Sequence, residues 1–316
     1  MYRYILKRLL LMIPVLLGVT ILIFTIMYFA PGDPAAQILG STASLDQIEA
    51  KREELGLNDS YLERLGDYLS DVFLHLDFGK SYINGRSVAQ DILSRYPETF
   101  TIAIFSILLA LIIGIPLGVI AATHQNKLGD YISMIISLLG VSMPNFWVAL
   151  MLVIWFALGL GWLPATGIGA AKFYVLPCIA CAFGGIASIA RQTRSSMLEV
   201  IRADYIVTAR SKGQTEKKVI YRHALSNALI PVITSAAGCF GSLLGGALVI
   251  ETVFAIPGLG TYMVTAINSR DYPAIQGSIF FVAFTFSIMM LLVDLIYAFV
   301  DPRIKAQYQG KVRAKK

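Results

Sequence analysis

Six apolar runs, each at or near the length that crosses a lipid bilayer, set the main constraint on this chain. They cover residues 9–30, 100–122, 131–160, 173–190, 228–254 and 277–300. A helix needs about 20 such residues to span the hydrocarbon core. The runs therefore predict an all-α membrane protein with six transmembrane helices. The third run is overlong and contains Pro144, which predicts a kink or a partly interfacial stretch. Composition fits this class. The chain is 56% hydrophobic and 15% charged, where a soluble domain carries about 25% charged residues.

Orientation follows from the basic residues. Most of the 26 Lys and Arg residues fall in the N-terminus, 123–130, 191–227 and the C-terminus. Loops rich in Lys and Arg stay in the cytosol, so both termini are expected there. In segment 31–99 acidic residues outnumber basic ones, which fits the opposite side. The formal charge of +6 is then a matter of bilayer orientation and gives no reason to invoke nucleic acid. The start, Met1-Tyr-Arg-Tyr-Ile-Leu-Lys-Arg8, resembles a signal-peptide n-region. The apolar run behind it exceeds the roughly 7–15 residues of a cleaved signal, so residues 1–30 read as an uncleaved signal-anchor.

Segment 31–99 is too long for a simple connection. It opens on a turn, Pro31-Gly-Asp-Pro34. Ser44 can cap a helix supported by Gln47 or Glu49 and ended by Gly56. A second amphipathic helix is expected from Tyr61 to Leu76, with Leu62, Leu65, Leu69, Val72 and Phe73 on one side. This gives a small extracytoplasmic helical insertion; a solvated loop is the plain alternative. Residues 100–300 form a five-helix transmembrane core, with a polar loop at 191–227, and 301–316 a basic tail.

Within the fifth run, Gly241 and Gly245 form a GxxxG, the spacing that lets helices approach closely in lipid. Ordinary helix packing and a pathway-lining role are both compatible with it. Glu251 and Asp294 lie in apolar surroundings, where a carboxylate is costly and so a functional candidate. An ion pair of Asp294 with Arg191 or Arg194, and bracing of the turn 256–260 by Glu251, are the structural alternatives. Cys178 and Cys181 share a helix face, but buried thiols are commoner than a metal or redox site.

Gly79-Lys-Ser81 ends like a phosphate-binding loop, but Leu74 stands where the first glycine is required. No metalloprotease, hydrolase or dinucleotide motif occurs in a supporting context, and the three histidines are far apart. Nothing argues for enzyme chemistry within the chain or for a bound cofactor or metal.

The polar island 191–227 is more specific. Its centre reads Asp204-Tyr-Ile-Val-Thr-Ala-Arg-Ser-Lys-Gly213. Met197, Ile201, Tyr205 and Thr208 or Ala209 recur at helical spacing. Gly213 can close that helix in the left-handed conformation, and Thr215 can cap the next, with Glu216 in its first turn. A short helix pair of this kind can dock in a groove on a partner, or lie on anionic headgroups.

The residues Asp204, Tyr205, Thr208, Ala209, Arg210, Lys212, Gly213, Arg222, His223, Ala224, Leu225 and Asn227-Ala-Leu-Ile-Pro231 resemble the EAA loop of ABC importer permeases, in the variant of the dipeptide, oligopeptide and nickel import family. Further stretches agree in order: Phe29-Ala-Pro-Gly-Asp-Pro34, Leu76-Asp-Phe-Gly79, Gly140-Val-Ser-Met-Pro-Asn-Phe-Trp147, Trp162-Leu-Pro164, Glu251-Thr-Val-Phe254, Pro257-Gly-Leu-Gly260, Arg270-Asp-Tyr-Pro273 and Asp301-Pro-Arg303. The loop departs from the wider superfamily, whose Glu-Ala-Ala falls on Val207, Thr208 and Ala209.

The resemblance implies a type I ABC importer permease, the first of two such subunits, in a bacterial or archaeal cell membrane. Implied partners are a second homologous permease, two cytosolic ATPases that hold ATP and Mg2+, and an extracytoplasmic binding protein. Within the loop, the resemblance gives Gly213 the break, Ala209 a close approach, and Leu225 the anchoring of the second helix. Lys212, Lys217, Lys218 and Arg222 would flank the docking surface. Short peptides are the leading substrate and a nickel chelate the rival. A stand-alone channel or secondary carrier, and a membrane scaffold, are the readings from other classes; no internal repeat supports a carrier.

Overall fold

The computed structural model describes residues 2–40 and 42–300, so the expected tail 301–316 lies outside it. Among the described residues the fold is helical, with one isolated antiparallel bridge between Lys80 and Ser87. Five helices are long and apolar enough to cross a membrane: Ile5–Phe29, Val88–Thr123, Lys172–Ile201, Glu216–Leu244 and Tyr272–Ile296. A sixth crossing exists if Leu128–Ser142 and Asn145–Gly159 count as one span, although they meet at 101°. The break is sharper than a kink. Met143 (ψ 125°) and Pro144 (ψ 137°) are both extended, as expected where a proline ring drives its predecessor out of the helical region. The chain is a multi-pass membrane protein.

Two compact units divide the chain. The first comprises residues up to Glu98 with Pro257–Ile288. It contains α1 (Tyr2–Phe29), α2 (Pro34–Leu39), α3 (Leu45–Glu54) and α4 (Tyr61–Ser70), the last extended by a π turn at Asp71–His75. Its short helices start where their caps dictate. Asp33 accepts a hydrogen bond from the Ala35 N–H (3.0 Å) with Pro34 in the first turn. Ser44 and Gln47 form a reciprocal capping box, as do Ser60 and Glu63. Within α4 and its extension Val72 is fully buried, whereas Leu62 is 76% exposed. Leu62 therefore leaves the expected apolar side, and Tyr68, which packs with Val72 and Phe73, joins it. Asp271 pins the hairpin-like loop before α5 (Val88–Thr123), accepting from Ser81 Oγ (2.5 Å) and the Tyr82 N–H (3.0 Å). Burial pushes the Tyr82 phenol up to about 12. Residues from α13 (Leu259–Asn268) and α14 (Tyr272–Val300), including Leu259, Ala266 and Ile275, pack with Ile23, Val88 and Ile92.

The second unit runs from Thr99 to Ile256 and takes in α14 from Met289 onward. Its centre is α8 (Lys172–Ile201), which packs against α6 (Leu128–Ser142), α7 (Asn145–Leu152) and α11 (Leu225–Gly246). The helices come unusually close. A Cβ on Gly118 of α5 would sit 2.5 Å from the Ala190 carbonyl oxygen, and one on Gly140 of α6 would sit 2.8 Å from Ala187 Cβ. Lipid tails supply no hydrophobic drive for helices to associate, so close backbone approach and dispersion contacts do that work. Cys178 and Cys181 are buried here as free thiols, as expected of packing residues.

Gly118→Val should lower the thermal midpoint of the detergent-solubilised protein, because overpacking against a backbone oxygen costs about 1–3 kcal/mol. Gly66→Ala, in an exposed helical position with open space around it, should leave or raise the midpoint by comparison.

Candidate functional site

The polar loop folds into a helix pair mounted on the end of α8. That helix stops at Ile201, Ala203 is extended (ψ 147°), and α9 (Asp204–Ser211) starts afresh. This restart resets the helical phase. Of the stripe expected through Met197, Ile201, Tyr205 and Thr208 or Ala209, Met197 and Ala209 are buried and Ile201 is half-buried, while Tyr205 and Thr208 are exposed and Ile206 turns inward instead. Gly213 (φ +72°) closes α9 in the left-handed conformation. No heavy atom lies within 4 Å of where its Cβ would be, so the constraint there is purely conformational. Thr215 occupies the cap position of α10 (Glu216–Lys218), but its side chain makes no capping bond. Glu216 instead reaches back to Arg210, accepting from Nη2 (2.6 Å) and Nε (3.1 Å), and ties the two helix ends together. Both partners are exposed, so the tie is worth at most about 1 kcal/mol.

A π turn, Val219–Ala224, joins α10 to α11. The pair is seated by Ile206, Ala209, Val219, Ile220 and Ala224, which pack with Val119 and Ala122 of α5, Met197 of α8 and Ala228 of α11. Ala209 thus faces the chain's own core, away from any partner. Leu225 is half-buried against the same cluster. His223 is half-buried, and its Nε2 has no hydrogen-bond partner among the described residues. Asp204, Thr208, Lys212, Gly213 and Arg222 are all exposed. They share the open surface with Tyr205, Val207 and Tyr221, which are about half exposed. Tyr221 was not singled out in the sequence; its alternation with buried Ile220 and Ala224 was the available signal.

A second feature lies deeper in the same unit. Residues of α5, α7, α8 and α11 line a half-open cavity of about 510 Å³. Its polar lining comes from Ser106, Asn145, Ser188, Ser235 and Ser242, with Cys181 and Cys239. In α11 it is Gly238, rather than the expected Gly241, that lines the cavity; Gly241 is half-buried and Gly245 lies in the helix's last turn. None of the serines was legible as a site residue, since isolated serines in apolar helices carry no motif.

The two carboxylates expected in apolar surroundings resolve differently. Glu251, in α12 (Leu248–Val253), is fully buried and accepts a 2.6 Å hydrogen bond from Thr99 Oγ1. It braces the expected turn through its main-chain carbonyl, which accepts from the Ile256 N–H (2.8 Å). Asp294 is buried on α14. Of its two expected partners, Arg194 is committed to Asp130 (2.7 Å) and Arg191 is exposed.

An all-helical, multi-pass protein with a polar cavity among its spans and an exposed helix pair beside them belongs to the class of membrane transport components. Residues 114–306 match the family described as binding-protein-dependent transport system inner membrane component, and residues 1–103 match its N-terminal region. The chain therefore belongs to that family. It is 45% identical to the dipeptide transport system permease protein DppB of Alkalihalophilus pseudofirmus, covering 96% of this chain and all of the relative. Identity is 40% to the glutathione transport system permease protein GsiC of Escherichia coli K12, over 96% and 99% of the two chains. A chain of the methionine ABC transporter MetNI, in an inward-facing conformation, shares the fold with a TM-score of 0.58 at 18% identity, covering 67% of this chain and 97% of its own.

A small membrane-permeant thiol reagent should modify Cys239, which is half-buried on the cavity, faster than Cys178, which is buried away from it. Peptide-level mass spectrometry of the purified protein reads this directly.

Proposed function

We propose that this chain is the first permease subunit of an ATP-driven peptide importer and forms one side of its membrane pathway. A second homologous permease completes the pathway, two ATPases bind the helix pair from the cytosol, and an extracytoplasmic binding protein delivers the substrate. On this reading both termini are cytosolic and the α2–α4 segment faces outward. ATP and Mg2+ belong to the ATPases; this chain does no hydrolysis.

The observation that carries the reading is the construction of the helix pair. One face is locked into the unit by Ile206, Ala209, Val219 and Ile220, and the other is left open with Tyr205, Val207, Lys212, Tyr221 and Arg222. A surface so rigidly seated can transmit force, provided that its partner binds one of two arrangements better than the other. Val207, where the wider superfamily has glutamate, makes an acidic docking contact at that position unavailable; the aromatic and basic residues supply the contact instead. The relatives named for dipeptide and glutathione transport favour a peptide over a nickel chelate as substrate.

Purification from native membranes in mild detergent should bring down a second permease and ATPases carrying phosphate-binding loops. Recovery of this chain alone, transporting in liposomes without ATP, would overturn the proposal. Gly213→Pro places a φ-locked ring where φ is +72°. The variant should still reach the membrane but lose substrate-stimulated ATP hydrolysis in the reconstituted complex.

A further inference from the structure

The ion pair between Asp130 and Arg194 stands out inside the second unit. Arg194 donates from Nε to Asp130 Oδ1 and from Nη2 to Oδ2, both at 2.7 Å. Asp130 also accepts from the Asn126 N–H (3.0 Å), which fixes it in the first turn of α6. Its side chain is 5% exposed and that of Arg194 is 24% exposed. A parallel two-bond fork of this kind fixes orientation as well as distance. Buried ion pairs are weak contributors to stability, since desolvation offsets much of the attraction, so the geometry is the more informative aspect.

The neighbours on each side give that geometry a purpose. On α8, Met197 lies one turn beyond Arg194 and packs in the cluster that seats Ile206, Ala209 and Ile220 of the helix pair. On α6, the buried residues are Asp130, Ser133, Ser137 and Gly140. They form one small-residue stripe, and at its far end Gly140 meets Ala187 of α8 in close contact. Beyond Gly140 the chain breaks at Pro144, and the next residue, Asn145, lines the cavity.

We infer that Asp130 and Arg194 are positioning residues. They clamp α6 to α8 so that displacement of the helix pair is delivered to the cavity wall at Asn145. The small-residue stripe alone lets α6 slide along α8, because it holds only by close contact; the fork fixes the register at the end nearest the helix pair. This inference rests on the importer reading above. It adds a specific route, through a named contact that touches neither substrate nor ATPase.

The test uses the importer assembled in liposomes, with Asp130→Asn, Arg194→Gln and Arg194→Lys in this chain. ATP hydrolysis is measured alone and with binding protein loaded from a mixed dipeptide pool. Asp130→Asn and Arg194→Gln should lower the stimulated rate about tenfold, a typical size for a coupling contact, with unstimulated hydrolysis and complex yield unchanged. Arg194→Lys keeps the charge without the fork and should fall between. Unaltered stimulation, or a loss that merely follows complex yield, would overturn the inference. If wild type itself shows no stimulation, the importer reading fails instead. The clamp is then decided by hydrogen exchange on the purified protein: Arg194→Gln should speed exchange in α6 and leave α9 unchanged, and unchanged α6 protection would sink it.

Discussion

The second unit depends on how closely α8 can be approached. Water drives apolar helices together, but lipid does not, so association in a membrane rests on contact at short range. Gly114 and Gly118 of α5 and Gly140 of α6 meet the backbone and side chains of α8 where any larger residue would collide. The helix pair and the cavity both draw on this arrangement. Met197 at one end of α8 helps seat the pair, and Gly184, Gly185 and Ser188 nearer its middle line the cavity. One tightly gripped helix thus connects an exposed surface with an interior space.

Much of this was legible in sequence because it depends on local chemistry. Span length follows from hydropathy, and the cap at Ser44 follows from a side chain that reaches three residues ahead. The left-handed turn at Gly213 follows from the one residue type that takes it without strain. The misreadings have a common origin. Periodicity assumes an unbroken helix, and the break at the extended Ala203 shifts the face that follows, leaving Tyr205 outside and Ile206 inside. The same limit applies at Pro144, where a proline predicts a bend but its magnitude depends on what the following helix packs against.

Long-range partners were the least accessible layer. Asp130 and Arg194 lie 64 positions apart, and Thr99 and Glu251 lie 152 apart. No local rule pairs them. Arg194 was weighed as a partner for Asp294 because both approach the same end of their spans. Direction around a helix axis decides between such candidates, and hydropathy carries little of that information. The cavity was hidden for a related reason: its serines come from three helices, and each alone resembles a small packing residue.

The cavity wall has a consequence of its own. Its polar groups are hydroxyls, thiols and one amide, and no formally charged side chain stands among them. A wall of that kind offers a passing molecule many weak hydrogen bonds and no deep electrostatic well. Movement through a pathway requires that nothing on the way hold too tightly. Short peptides differ from one another mainly in their side chains, and a wall without formal charge gives little electrostatic ground for telling them apart. On the importer reading proposed above, discrimination among cargoes falls to an upstream component.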